Sequence, residues 1–113
     1  MIKIYHNTRC SKSRCTLDIL KEKNEQYEII EYLKNAPSKE ELENIIKMLG
    51  ITPLELIRKG ESIFKENYKG KELSNSEWID VMIENPILIE RPIVINDGKA
   101  VIGRPPESIL SIL

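Results

Sequence analysis

Ile2 and Ile4 alternate with polar neighbours at the start of the chain, the period-two pattern of a short strand. Leu17 and Leu20 then recur at helical spacing, which predicts a helix from about Ser11 to Lys23. A polar break at Asn24-Glu25-Gln26 precedes Tyr27-Glu28-Ile29-Ile30-Glu31-Tyr32-Leu33, a run rich in strand formers that predicts a second strand. Strand, helix and strand in so few residues make a βαβ unit, whose crossover should be right-handed.

The middle of the chain is patterned for helices. Ser38-Lys39-Glu40-Glu41 has the form of a capping box, Leu42, Ile45, Ile46 and Leu49 share one face, and Gly50 closes the helix. Thr52-Pro53-Leu54-Glu55 opens a brief second helix ending near Arg58-Lys59-Gly60, and Glu61 to Tyr68 can add another turn or two. Ser74-Asn75-Ser76-Glu77 caps a further helix carrying Trp78, Ile79, Met82 and Ile83, which Asn85-Pro86 stops. The pattern then changes. Ile93-Val94-Ile95 and Ala100-Val101-Ile102 flank Asn96-Asp97-Gly98, a strong hairpin signal, and Pro105-Pro106 starts a short C-terminal helix with Ile109, Leu110 and Leu113. With the middle helices taken as an insertion over about 37–85, the order βαβ–ββα predicts an α/β fold with a thioredoxin-like mixed sheet in a single domain, 1–113.

Composition narrows the function classes. A chain of 113 residues that is 31% charged and 41% hydrophobic can bury one core without staples. A net charge of −1 without a basic run gives no support to nucleic-acid binding. No apolar run approaches membrane-spanning length, and Met1-Ile2-Lys3-Ile4-Tyr5-His6 lacks a signal-peptide core. Two cysteines without an export signal point to thiol chemistry in a reducing compartment, the cytoplasm, in a protein expected to be monomeric.

The segment His6-Asn7-Thr8-Arg9-Cys10-Ser11-Lys12-Ser13-Arg14 concentrates the candidate chemistry. It puts a cysteine between a strand and a helix N-terminus. The first acidic residue is Asp18, so Arg9, Lys12 and Arg14 surround Cys10 with positive charge. Helix termini of this kind favour a thiolate over a thiol and also attract oxyanions.

Four stretches in chain order carry a family resemblance: His6-Asn7-x-x-Cys10-x-x-Ser13-Arg14, Leu56-Ile57-Arg58-Lys59, Asn85-Pro86-Ile87-Leu88-Ile89-x-Arg91-Pro92-Ile93-Val94, and Gly103-Arg104-Pro105. From Ile4 to the C-terminus the chain resembles the glutaredoxin-linked arsenate reductases. The resemblance implies a thioredoxin-like fold with an inserted helical subdomain. It implies Cys10 as catalytic nucleophile, Arg58, Arg91 and Arg104 as ligands of arsenate, and His6 near the thiolate. The implied cycle is attack of Cys10 on arsenate, then attack of the co-substrate glutathione on the adduct, then reduction to arsenite with glutaredoxin as partner. No metal and no tightly bound cofactor are expected. Planar guanidinium forks suit a diffuse oxyanion charge better than ammonium groups.

Plainer readings stand beside these. Cys15 lies five positions after Cys10, a Cα separation of roughly 8–9 Å in a helix. That exceeds the distance of about 7 Å that a disulfide tolerates. Cys15 also lies one helical turn before Ile19 and is read as core filler, with a resolving thiol as the alternative. His6 divides between structural support and tuning of Cys10, Arg9 and Arg14 are read as colouring the local field, and Arg58, Arg91 and Arg104 taken singly could be solvated surface residues. Trp78 is read as core. Arg91 gains weight because Pro92 follows it, and thioredoxin-like folds place a cis-proline beside the active cysteine. Two rivals remain: a Spx-type regulator that binds RNA polymerase and senses oxidation, and a related thiol oxidoreductase with another substrate. Such regulators carry Cys-x-x-Cys, whereas Ser13 holds the second position here.

Overall fold

The computed structural model describes residues 2–113, so Met1 lies outside the described residues. The chain forms two compact units, one of residues 2–35 and 91–113, the other Ala36–Glu90.

The first unit is built on a four-stranded sheet in the order β2-β1-β3-β4, with β1 Ile2–Tyr5, β2 Tyr27–Ile30, β3 Ile93–Asn96 and β4 Lys99–Ile102. β1 runs parallel to β2, pairing Ile2 with Tyr27, and antiparallel to β3, pairing Tyr5 with Ile93. Helix α1, Ser11–Glu22, makes the crossover between the parallel strands. Ile2 and Ile4 of β1, Leu20 of α1, Val94 of β3 and Ile109 form the buried cluster, with Leu17 and Ile19 packed against it. This is the thioredoxin-like mixed sheet that the hydrophobic order predicts. Asp97 and Gly98 both have positive φ, 56° and 75°, giving the tight two-residue hairpin turn that the Asp-Gly pair favours.

The sequence-based expectations need three corrections in this unit. β2 ends at Ile30 rather than Leu33, because its partner β1 ends at Tyr5, whose register position is opposite Ile30. The C-terminal segment Pro106–Ile112 is a 3-10 helix in which Ile109 is buried while Leu110, and Leu113 just after it, are exposed. Cys15 is exposed and is not core filler. The buried face of α1 is set by Ser13, Thr16 and Leu20, and position 15 turns away from it.

The second unit is helical: α2 Lys39–Leu49, α3 Pro53–Leu56, α4 Ser62–Asn67 and α5 Asn75–Glu84, followed by a 3-10 turn at Pro86–Leu88. The Ser38, Thr52 and Ser74 N-caps read from the sequence are present, with the forward bond at Ser38 and the reciprocal box at Thr52 and Ser74. Ser38 and Ser74 accept from the N–H of the residue three ahead, Thr52 and Ser74 complete reciprocal capping boxes with Glu55 and Glu77, and Gly50 closes α2 at φ 70°. Trp78 is buried among Phe64 and Tyr68, ring centroids 6.0 and 6.3 Å away, which agrees with its reading as core. α3 ends two residues short of Arg58. There Ile57 turns extended and bridges Ile89, the Arg58 N–H donates to the Leu88 carbonyl, and the Glu90 N–H donates to the Leu56 carbonyl. Paired strand-like bonds replace a last helical turn.

Candidate active site

Cys10 emerges where β1 gives way to α1. The His6 N–H continues the parallel ladder by donating to the Ile30 carbonyl at 2.9 Å, and the chain then turns sharply. The turn is organised by Asn7, which is buried: its side-chain oxygen accepts the Arg9 N–H at 3.0 Å, its carbonyl accepts the Cys10 N–H at 3.0 Å, and its own N–H donates to Ser13 Oγ at 3.1 Å. This is the local bonding that favours Asn at turns. Cys10 is the N-cap residue of α1, with extended φ and ψ and its carbonyl accepting the Arg14 N–H at 3.1 Å.

Strand register brings Arg91 and Arg104 to the same place. Because Tyr5 pairs with Ile93 and Ile93 pairs with Ile102, the start of β3 and the end of β4 both lie beside the end of β1 that leads to Cys10. Arg91 and Pro92 immediately precede β3, and Gly103 and Arg104 immediately follow β4. The Arg91-Pro92 peptide is cis, as expected for the proline beside an active cysteine, and so is Arg104-Pro105, which the sequence reading did not anticipate. The Gly103 N–H donates to the Pro92 carbonyl at 2.8 Å, and Arg104 Nε donates to the Arg91 carbonyl at 2.8 Å. With Nε held there, Arg104 Nη2 lies 3.4 Å from Cys10 Sγ. Gly103 is required by proximity: a Cβ at this position would stand 2.6 Å from Thr16 Oγ1 and 2.8 Å from the Pro92 ring.

The thiol is correspondingly acidic. Burial alone would raise the Cys10 pKa, but the Ser13 N–H, the hydrogen bond and charge of Arg91, and the Lys12 N–H together bring it below its ordinary value. The sulfur makes no cap bond of ordinary geometry, yet these N–H groups lie at the helix terminus where a thiolate is stabilised. The field has a different source from the one that the charge pattern suggested. Arg9, Lys12 and Arg14 are exposed, and the Arg14 guanidinium donates to the Thr8 carbonyl at 3.2 Å, so its visible work is to brace the loop.

His6 is buried, and its Nδ1 lies 2.8 Å from Ser13 Oγ. Burial lowers its pKa, the charge of Glu31 raises it and that of Arg14 lowers it, for a net value below the ordinary 6.5. Arg58 belongs to the helical unit, where its Nη1 donates to Glu90 at 2.7 Å and its Nε to Glu61 at 3.3 Å. Those two carboxylates hold its pKa up against burial. Thus Cys10, Arg91, Arg104 and His6 come together around the sheet, while Arg58 is described by its ion pairs in the other unit. Asn7, Ser13 and Thr16 were given no role by the sequence reading. An Asn directly after a strand was the one available sign of the turn.

Among the described residues no cluster of three His, Cys, Asp or Glu side chains could hold a metal ion, and no helix is long and apolar enough to cross a membrane. Comparison with known proteins gives one consistent family. Residues 5–112 match the ArsC family. The chain is 46% identical to an arsenate reductase of Haemophilus influenzae, over 97% of each chain. It is also 46% identical to the uncharacterized protein YfgD of Escherichia coli K12, over 99% of this chain and 96% of the other. Among solved structures, an arsenate reductase from Vibrio cholerae superposes with a TM-score of 0.94 at 43% identity, covering 99% of this chain and 97% of that one. Full-length matches in sequence and in fold, joined to a cysteine held at the strand–helix junction beside Arg104, establish that the chain belongs to the ArsC family.

Proposed function

We propose that this protein reduces arsenate to arsenite, with the Cys10 thiolate as nucleophile and Arg91 and Arg104 as ligands of the oxyanion. The observation that carries this reading is the Cys10 sulfur 3.4 Å from the Arg104 guanidinium at a helix N-terminus, where Arg91 also favours the thiolate. One environment then serves two needs. It favours the ionised form of the sulfur, and it offers planar paired donors to a tetrahedral anion. The arsenate reductases among its relatives support the choice of anion.

In the proposed cycle Cys10 attacks arsenic(V) and displaces one oxygen, which leaves as water after taking up protons. A low-molecular-weight thiol, glutathione in this reading, then attacks the Cys10 sulfur of the adduct, and the arsenic–sulfur bond breaks as the thiol proton passes to the departing oxyanion. Disulfide formation sends two electrons to arsenic, which departs as arsenite, and glutaredoxin returns the oxidised thiols to the reduced state. Overall, arsenate and two thiols give arsenite, one disulfide and water. A reducing compartment such as the cytoplasm suits this stoichiometry. Arg58 enters the proposal from the family resemblance, as a guanidinium whose charge Glu61 and Glu90 currently share.

Steady-state reduction by Arg91→Lys and Arg104→Lys tests the cradle, because each keeps the charge and loses the fork. Loss of a charge-assisted bond costs about 1.5–3 kcal/mol, so kcat/KM should fall roughly ten- to hundredfold. Lys34→Ala, whose side chain is exposed at 74% and pairs only with Glu31 at 3.7 Å among the ion pairs described, should stay near wild type. Full activity in both Arg→Lys variants, or an equal loss in the Lys34 variant, would contradict the cradle.

A further inference from the structure

Ser13 is completely buried, lies on the third residue of α1, and makes two side-chain hydrogen bonds that do not involve Cys10. Its Oγ accepts the Asn7 N–H at 3.1 Å and lies 2.8 Å from His6 Nδ1. A hydroxyl has one proton to give and two lone pairs. One lone pair is used by Asn7. If His6 Nδ1 carried a proton, it would occupy the second lone pair, and the buried hydroxyl proton would need a third neighbour that accepts. The arrangement is complete when Ser13 donates to an unprotonated Nδ1, which leaves the ring neutral with its proton on Nε2. The depressed pKa of His6 agrees with a neutral ring.

From this geometry we propose that Ser13 is a positioning residue for Cys10: its hydroxyl clamps the end of β1, through His6 and Asn7, to the first turn of α1, and so holds the Ser13 and Lys12 N–H groups on the sulfur. His6 then acts as the hydrogen-bond acceptor of the clamp and not as a neighbouring cation. The Ser13 N–H heads the contributions that favour the Cys10 thiolate, so a loosened first turn should be felt at the sulfur. The proposal builds on Cys10 as the reactive thiol of the preceding section. It concerns thiol acidity alone, so failure of arsenate chemistry would leave its test unaffected.

The test is the pH dependence of Cys10 alkylation by iodoacetamide in a Cys15→Ala background, since Cys15 is exposed and would also react. Ser13→Ala and His6→Ala should each move the midpoint upward by about one pH unit and slow alkylation near pH 6.5 severalfold. His6→Asn places an amide oxygen close to where Nδ1 stood and cannot be charged, so it should recover most of the wild-type midpoint. Loss of stability alone would not separate those two His6 variants. The chain has a single histidine, so nitrogen-15 spectra should show one ring with Nδ1 unprotonated and Nε2 protonated at neutral pH. An unchanged midpoint in Ser13→Ala, a His6→Asn midpoint as high as that of His6→Ala, or an imidazolium at neutral pH would overturn the proposal. Should Ser13→Ala fail to fold, the His6 pair and the spectra decide it.

Discussion

Cys10 and Cys15 differ by five positions and by everything that governs thiol reactivity. Cys10 is buried, yet its thiolate is favoured by backbone N–H groups and Arg91, whereas Cys15 is exposed on the outer face of α1. Alkylation followed by mass analysis should therefore resolve two phases. The Cys10 phase should titrate below the free-thiol value of about 8.5. The same shift has a consequence for stability. Because the folded pKa is the lower one, the unfolded chain binds more protons between the two values, so this contribution grows as pH rises toward the unfolded pKa. It is lost as pH falls through the folded pKa. Chemical denaturation of wild type and Cys10→Ala across pH 5–9 should show the gap between them shift in favour of wild type as pH rises. A pH-independent gap would contradict the thiolate assignment. At this scale the motifs singled out Cys10 together with Arg91 and Arg104, which the structure brings to the same place. The sequence reading misjudged Cys15, because one-turn spacing to Ile19 suggested packing while the buried face had already been taken by Ser13, Thr16 and Leu20.

At the scale of elements, boundaries follow from caps and from ladder partners. The caps were legible because they are local: Ser74 and Glu77 lie three apart and satisfy each other's backbone N–H. Ser74→Ala should lower stability by about 1 kcal/mol with little effect on the thiol. The ends of β2 and α3 were not legible, because they depend on residues distant in sequence, Tyr5 for one and Leu88 to Glu90 for the other. The β4–Pro106 junction is the element whose placement matters most to the site. Gly103 allows the chain to pass against Thr16 and Pro92 before Arg104 reaches the sulfur. Gly103→Ala should push this junction outward, slow turnover more than Ser74→Ala does, and raise the Cys10 midpoint, since the junction holds Arg104 at the sulfur and is bonded to the Arg91 and Pro92 carbonyls. Wild-type turnover in Gly103→Ala would show that the Arg104 placement is not needed.

For the whole molecule, the order of hydrophobic segments was enough to predict a thioredoxin-like mixed sheet, since a βαβ unit and a terminal hairpin leave few ways to pair four short strands. The meeting of residues from positions 6–14, 91–92 and 103–104 was not contained in local pattern. Strand register creates it, and only the family resemblance made it visible in advance. Arg58 illustrates the remaining gap: the motif named it, while its partners Glu61 and Glu90 come from packing within the helical unit. The central claim is that the Cys10 thiolate reduces arsenate, and it is tested most directly by measuring arsenite formed from arsenate with glutathione and glutaredoxin. Wild type and Cys15→Ser should produce arsenite, and Cys10→Ser, folded by circular dichroism, should produce none above the protein-free background. Equal arsenite from wild type and Cys10→Ser would contradict the account.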